Sequence, residues 1–131
     1  MKTLTKLKHD HVFESSQNDN KITLDGDKKA GIGPKALLLS GLAGCSGIDV
    51  VDILKKMRVS FSDLSIEAEA EQTGEDPKVF KDIFVTYTIS TDAANEEKVK
   101  KAIELSLEKY CGVSAMLKKN STIHFKLQLK K

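Results

Sequence analysis

The chain has 131 residues, of which 21 are basic, 19 acidic and 40% hydrophobic, for a net charge of +2, and it reads as a single domain spanning 1–131. Near-balanced charge, with lysines spread along the chain, leaves no electrostatic footprint for nucleic acid. The polar N-terminus has no apolar signal-peptide core, and the two cysteines stand far apart, so a cytoplasmic protein with free thiols is expected.

In chain order, residues 3–24 predict short strands. Thr5, Leu7, His9, His11 and Phe13 alternate with polar residues, Gln17–Asn20 is a turn cluster, and Lys21–Leu24 runs as a strand into Asp25-Gly26. Gly31 and Gly33 break the chain before the longest apolar stretch, Pro34–Arg58. Pro34 suits a first helical turn, and Lys55, Lys56 and Arg58 suit the negative end of a helix dipole. Between Ala36 and Leu54 the only ionisable side chains are Cys45, Asp49 and Asp52, so the stretch predicts a helix of about 25 residues, apolar on nearly every face and therefore buried. The two aspartates and the scarcity of long aliphatic side chains argue against a membrane span. Gly41, Gly44 and Gly47 predict close packing of another backbone near Cys45.

The period then changes to two. Leu64, Ile66, Ala68 and Ala70 alternate with Ser65, Glu67, Glu69 and Glu71, and Ile83, Val85, Tyr87 and Ile89 form the buried row of a second strand after the turn Thr73–Pro77. The pair reads as an antiparallel hairpin. Asn95 is the expected N-cap of an amphipathic helix over 95–110, with Val99, Ala102, Ile103, Ser106, Leu107 and Tyr110 on its inner face. Gly112 interrupts after Cys111, Val113–Lys118 predicts a short helix, and Ile123, Phe125, Leu127 and Leu129 predict a closing strand. The sum is an α+β fold, with antiparallel sheet packed on a long buried helix. One small sheet cannot cover a helix that apolar, which predicts a homodimer.

Two thiols that meet in space permit a peroxide-reduction cycle, in which one becomes a sulfenic acid and the other condenses with it to a disulfide. The alternative is two unrelated buried thiols. No C-x-x-C supports zinc or a thioredoxin-type site, and no cofactor is expected. His9 and His11, with His124, form a conceivable metal set, against the simpler reading of ordinary strand histidines. Asp49 and Asp52 read as capping or partner contacts rather than catalytic carboxylates.

Ala-Gly-Cys45-Ser-Gly-Ile-Asp-Val-Val resembles the first cysteine helix of the OsmC/Ohr family (osmotically inducible and organic hydroperoxide resistance proteins), and Glu108-Lys-Tyr-Cys111-Gly-Val-Ser114 resembles its second cysteine segment. The element order is also similar, and the likeness spans essentially the whole chain. Cys-Ser-x-Ile-Asp-Val-Val followed by Ile-Leu-Lys-Lys is nearest to the YhfA-like branch. The resemblance implies an intertwined homodimer with its site at the subunit interface. It also implies thiol-dependent reduction of organic hydroperoxides in oxidative-stress defence, with Cys45 peroxidatic, Cys111 resolving and a thiol reductant as partner. Active members carry a Glu just after the helix-opening proline and an Arg from the N-terminal strands. Here Lys35 and Ala36 follow Pro34, and the one arginine is Arg58, about 20 Å along the helix from Cys45. That departure sustains an alternative expectation, a catalytically weak member that binds a small apolar or thiol-reactive ligand at the dimer interface. A purely structural dimer with inert thiols is the third.

Overall fold

The computed structural model describes residues 1–130. The chain forms two compact units, residues 1–38 and 39–131. The first is a three-stranded antiparallel sheet of β1 (Leu4–His9), β2 (Val12–Gln17) and β3 (Asn20–Asp25), in that order. The alternation read through His11 and Phe13 as one strand breaks at Asp10, whose positive φ of 46° turns the chain so that His9 pairs with Val12. Asn18, φ 56°, makes the second turn, and Gln17 pairs with Asn20; asparagine and aspartate tolerate this left-handed region better than most residues. After β3 the Asp25 carboxylate accepts the backbone N–H groups of Asp27, Lys29 and Ala30 at 2.8–3.1 Å, which organises the loop leading to the long helix. Gly31 is required there, because a Cβ would lie 2.4 Å from the Thr23 carbonyl oxygen.

Helix α1 (Pro34–Lys56) leaves the first unit and enters the second. It ends two residues short of the expected Arg58. The N–H of Val59 bonds the Leu54 carbonyl and that of Arg58 the Lys55 carbonyl, both at 3.0 Å, with Arg58 at φ 58°. This is the Schellman closure, with arginine in the left-handed position that glycine usually fills. Within the single chain α1 is not buried all round. Leu42, Ser46, Val50 and Leu54, four residues apart, form the buried stripe, while Leu38 and Ile48 remain 53% and 66% exposed. By length and composition alone this helix could cross a membrane, but its buried stripe lies in the protein's own core.

The second unit holds β4 (Ser62–Gln72), β5 (Phe80–Ser90) and β6 (Thr122–Lys130), in the order β4-β5-β6. β4 and β5 form the expected antiparallel hairpin, but β6 pairs with β5 in parallel, Ile83 opposite Ile123 and Ile89 opposite Leu129, so this sheet is mixed. The intervening helices provide the crossover that a parallel pairing needs. Ile83, Val85, Tyr87 and Ile89 are all but inaccessible and pack with Leu42, Val50, Leu54, Val99, Ala102 and Ile103.

Helix α2 (Glu96–Leu105) is preceded by a short 3-10 turn, Ala93–Asn95. The cap is Asp92, whose carboxylate accepts the Ala94 N–H at 2.9 Å; Asn95 makes no side-chain cap and donates instead to Thr91 Oγ1 at 3.1 Å. The expected helix over 95–110 changes character at Ser106. Residues Ser106–Tyr110 form one π-helical turn, closed by the Cys111 N–H on the Ser106 carbonyl at 2.7 Å. The wider turn shifts the helical phase, so Tyr110, expected on the inner face, is exposed. Helix α3 (Gly112–Lys118) follows.

Candidate functional site: the Cys45–Cys111 thiol pair

Cys45 projects from the middle of α1, one residue before the buried Ser46, and packs half-buried against the core cluster. Cys111 lies at the junction between the π turn and α3, 3% exposed. The two thiols are free, and Cys45 is near enough to Cys111 to act on its titration. Cys111 also caps α3, its sulfur accepting the Ser114 N–H at 3.3 Å. That donor favours the thiolate, as expected at a helix start. Burial outweighs it and pushes the Cys111 thiol well above its ordinary range, and the neighbouring Cys45 adds to the rise. The more accessible sulfur is thus Cys45, and the more buried one is held as a thiol beside it.

The π turn positions Cys111. One carbonyl in the turn, that of Leu107, accepts both the Ser114 hydroxyl at 3.0 Å and the Lys118 ammonium at 2.6 Å. Sequence reasoning missed this role of Ser114 and Lys118; the irregularity ahead of Gly112 is the only sign of it in the sequence.

Beneath the cysteines lies a buried polar cluster that the sequence did not announce. Ser46 Oγ and the Tyr87 hydroxyl are 2.6 Å apart, Ser106 Oγ lies 2.9 Å from Ser46 Oγ, and Ser106 Oγ lies 3.0 Å from Asp49 Oδ2. Burial pushes the Tyr87 phenol up to about 12, so it remains a donor at neutral pH. Asp49 is thus a partner for a side chain on α2's continuation rather than a cap. Asp49 and Asp52 border a cavity of about 520 Å³ with Ile53, Lys56, Met57, Leu105 and Tyr110.

The histidines do not converge. His9 bonds Asp10 at 3.1 Å, His11 bonds Asp27 at 3.2 Å and His124 bonds Asp82 at 3.0 Å. Among the described residues no group of three or more His, Cys, Asp or Glu could hold a metal ion.

A mixed α+β protein with two neighbouring thiols, one on a long helix and one at a helix start, defines a narrow class. The sequence profile of the OsmC-like protein family matches residues 25–126. Protein YhfA of Escherichia coli K12 is 33% identical over 105 residues, covering 79% of this chain and 78% of YhfA. The chain belongs to the OsmC-like family. Among solved structures, an OsmC-like protein from Mycoplasma pneumoniae superposes with a TM-score of 0.87 at 20% identity, covering 99% of this chain and 96% of that one. The organic hydroperoxide resistance protein OhrB of Bacillus subtilis superposes with a TM-score of 0.65 at 20% identity, covering 98% and 96%. At those identities the likeness establishes the fold alone.

Proposed function

We propose that this protein is a thiol-dependent peroxide reductase acting on organic hydroperoxides in oxidative-stress defence. The observation that carries the reading is the proximity of Cys45 to Cys111, close enough for Cys45 to help raise the Cys111 thiol's pKa. The Cys45 thiolate attacks the terminal oxygen of the hydroperoxide, the O–O bond breaks, and the alkoxide leaves as the alcohol after taking a proton. Cys45 is then a sulfenic acid. The Cys111 sulfur attacks the Cys45 sulfur, the S–O bond breaks, and water leaves with the Cys111 proton, giving the disulfide. A dithiol reductant returns both thiols with two electrons.

The site works in a homodimer, in our reading. The uncovered face of α1 supports this: Ile48 is exposed, nothing lies within 4 Å of a Cβ placed on Gly41 or Gly44, and Ala43, Gly44, Gly47, Ile48 and Val51 border an apolar groove of about 490 Å³ with Leu64 and Ile66. A second copy of α1 fits such a surface, since small residues let helix backbones approach closely. A cytoplasmic setting, where thiols stay reduced, suits the chemistry.

The alternative reading is a catalytically weak member that binds a small apolar or thiol-reactive ligand at the dimer interface. Lys35 and Ala36 after Pro34, and an arginine only at position 58, favour it. Peroxide consumption separates the two. With cumene hydroperoxide and excess dithiothreitol, the wild-type protein turns over catalytically and Cys45→Ser does not. Wild-type consumption no faster than that of Cys45→Ser retires the reductase and leaves the ligand-binding reading.

A further inference from the structure

Ser106 touches the surroundings of both cysteines. Its carbonyl accepts the Cys111 N–H at 2.7 Å and so closes the π turn that presents Cys111. Its hydroxyl lies 2.9 Å from that of Ser46, the residue next to Cys45, and 3.0 Å from Asp49, one turn further along the same helix. Side chain and main chain of one residue therefore join the helix bearing Cys45 to the turn bearing Cys111. Ser46, Ser106 and Tyr87 are wholly buried, where a hydroxyl left without a partner is costly.

The Ser106 hydroxyl is the donor that ties this cluster together: its hydrogen is offered to Ser46 Oγ at 2.9 Å, Asp49 Oδ2 at 3.0 Å and the Ser46 carbonyl at 3.4 Å, all on the helix that bears Cys45. Ser46 Oγ and the Tyr87 hydroxyl, 2.6 Å apart, extend it into the core, and either can be the donor. A carboxylate accepts and cannot donate, so Asp49 closes the cluster as an acceptor. A charge-assisted terminal bond is stronger than a neutral one, and serial hydroxyls polarise one another. π turns inside helices also recur at functional sites rather than at random.

We propose that Asp49 and Ser106 are positioning residues of the thiol pair: the carboxylate-anchored chain Tyr87–Ser46–Ser106–Asp49 fixes the register between Cys45 and Cys111 and so sets the rate of disulfide closure. The proposal rests on the reductase reading for its role in turnover, but the register itself is a property of the two thiols whatever oxidises them. Neither residue touches the peroxide. Removing the anchor leaves the first attack by Cys45 unchanged and slows only the second step, so the sulfenic acid lives longer and is over-oxidised.

The test uses the full-length protein and four variants: Asp49→Ala, which removes the acceptor; Asp49→Asn, whose amide oxygen restores an acceptor; Ser106→Ala; and Tyr87→Phe. Two rates are followed by acid quench and mass spectrometry after one equivalent of cumene hydroperoxide: loss of reduced Cys45, and appearance of the Cys45–Cys111 linkage. A glutathione redox buffer separately gives the equilibrium for forming that disulfide without peroxide. Asp49→Ala and Ser106→Ala are expected to slow linkage and weaken the disulfide equilibrium by about tenfold, the size of one charge-assisted hydrogen bond, with loss of reduced Cys45 at the wild-type rate. Asp49→Asn is expected to recover most of the effect, which a role in folding alone does not predict at an unchanged first step. Wild-type linkage rates and glutathione equilibria in Asp49→Ala and Ser106→Ala overturn the proposal, as does equal slowing of both steps. Should Asp49→Ala fail to fold, Tyr87→Phe decides, since it removes the hydroxyl at the far end of the cluster: an unchanged glutathione equilibrium there also overturns it. A wild-type protein that closes the disulfide in glutathione yet ignores peroxide instead contradicts the reductase reading and leaves the register intact.

Discussion

The Tyr87 hydroxyl is the buried donor with most at stake in the core. It stands 2.6 Å from Ser46 Oγ, among Ile83, Val85 and Ile89. Tyr87→Phe leaves Ser46 without this hydrogen-bond partner and is expected to cost about 1–3 kcal/mol in urea unfolding. Its pH signature has a definite sign. Burial raises the phenol from 10.0 to about 12, so the folded state holds the proton more tightly than the unfolded chain. The stability this contributes is intact below pH 10 and is lost as pH rises from 10 through about 12. The difference in stability between wild type and Tyr87→Phe should therefore shrink over that interval. A difference that stays constant contradicts the burial argument. At this scale the sequence was readable for Tyr87 as an inward residue, through the alternation of β5, but not for its partner: nothing in a linear chain announces that Ser46 and Ser106 meet, since a lone serine on a helix face is as easily solvated as bonded.

Among the elements, the loop after β3 is governed by a single carboxylate. Three backbone N–H groups converge on Asp25 and hold its carboxyl below the usual range, Ala30 and Asp27 contributing most. A lowered pKa means that the stabilisation is present above the unfolded value of 3.8 and is lost as pH falls through the folded one. Asp25→Asn should abolish that acid-side slope and lower the melting temperature at pH 7. An acid unfolding profile identical to wild type contradicts this role. The strands and helices were largely legible: the period-two rows of β4 and β5 and the 3.6-residue row of α2 located those elements. What periodicity did not carry was local closure. The α1 stop at Lys56 depends on Arg58 adopting a left-handed conformation that favours glycine. The cap at Asp92 rather than Asn95 depends on a short 3-10 turn, and the exposure of Tyr110 depends on one extra residue in a π turn. The parallel pairing of β6 is a matter of topology, and an alternating strand looks the same in either direction.

For the whole molecule, α1 is the decisive element. A helix this apolar has a stripe at Leu42, Ser46, Val50 and Leu54 in its own core and another face, around Gly44 and Ile48, that this chain leaves open. Burying a side chain of Ile48's size is worth about 1.5–3 kcal/mol, so the open face should pair with a second copy. Sedimentation at micromolar concentration is expected to give a dimer, and Gly44→Leu, placed where a side chain meets nothing within the monomer, should yield a folded but weaker-pairing protein. A folded wild-type monomer at that concentration contradicts the pairing. The sequence pointed to this surface by composition, yet it could not say which face was spare, because apolar residues cover nearly the full circumference.

Cys45 and Cys111, in the proposed chemistry, act as one redox unit, and peptide mapping shows whether they do. The reduced protein is treated with one equivalent of an organic hydroperoxide, the remaining thiols are blocked, and the digest is read by mass spectrometry. The expected result is loss of two hydrogens from the intact chain and a single linked peptide joining Cys45 to Cys111 within one chain, reversed by dithiothreitol. Both thiols recovered free and blocked, or Cys45 carried on to sulfinic acid with Cys111 untouched, would contradict it.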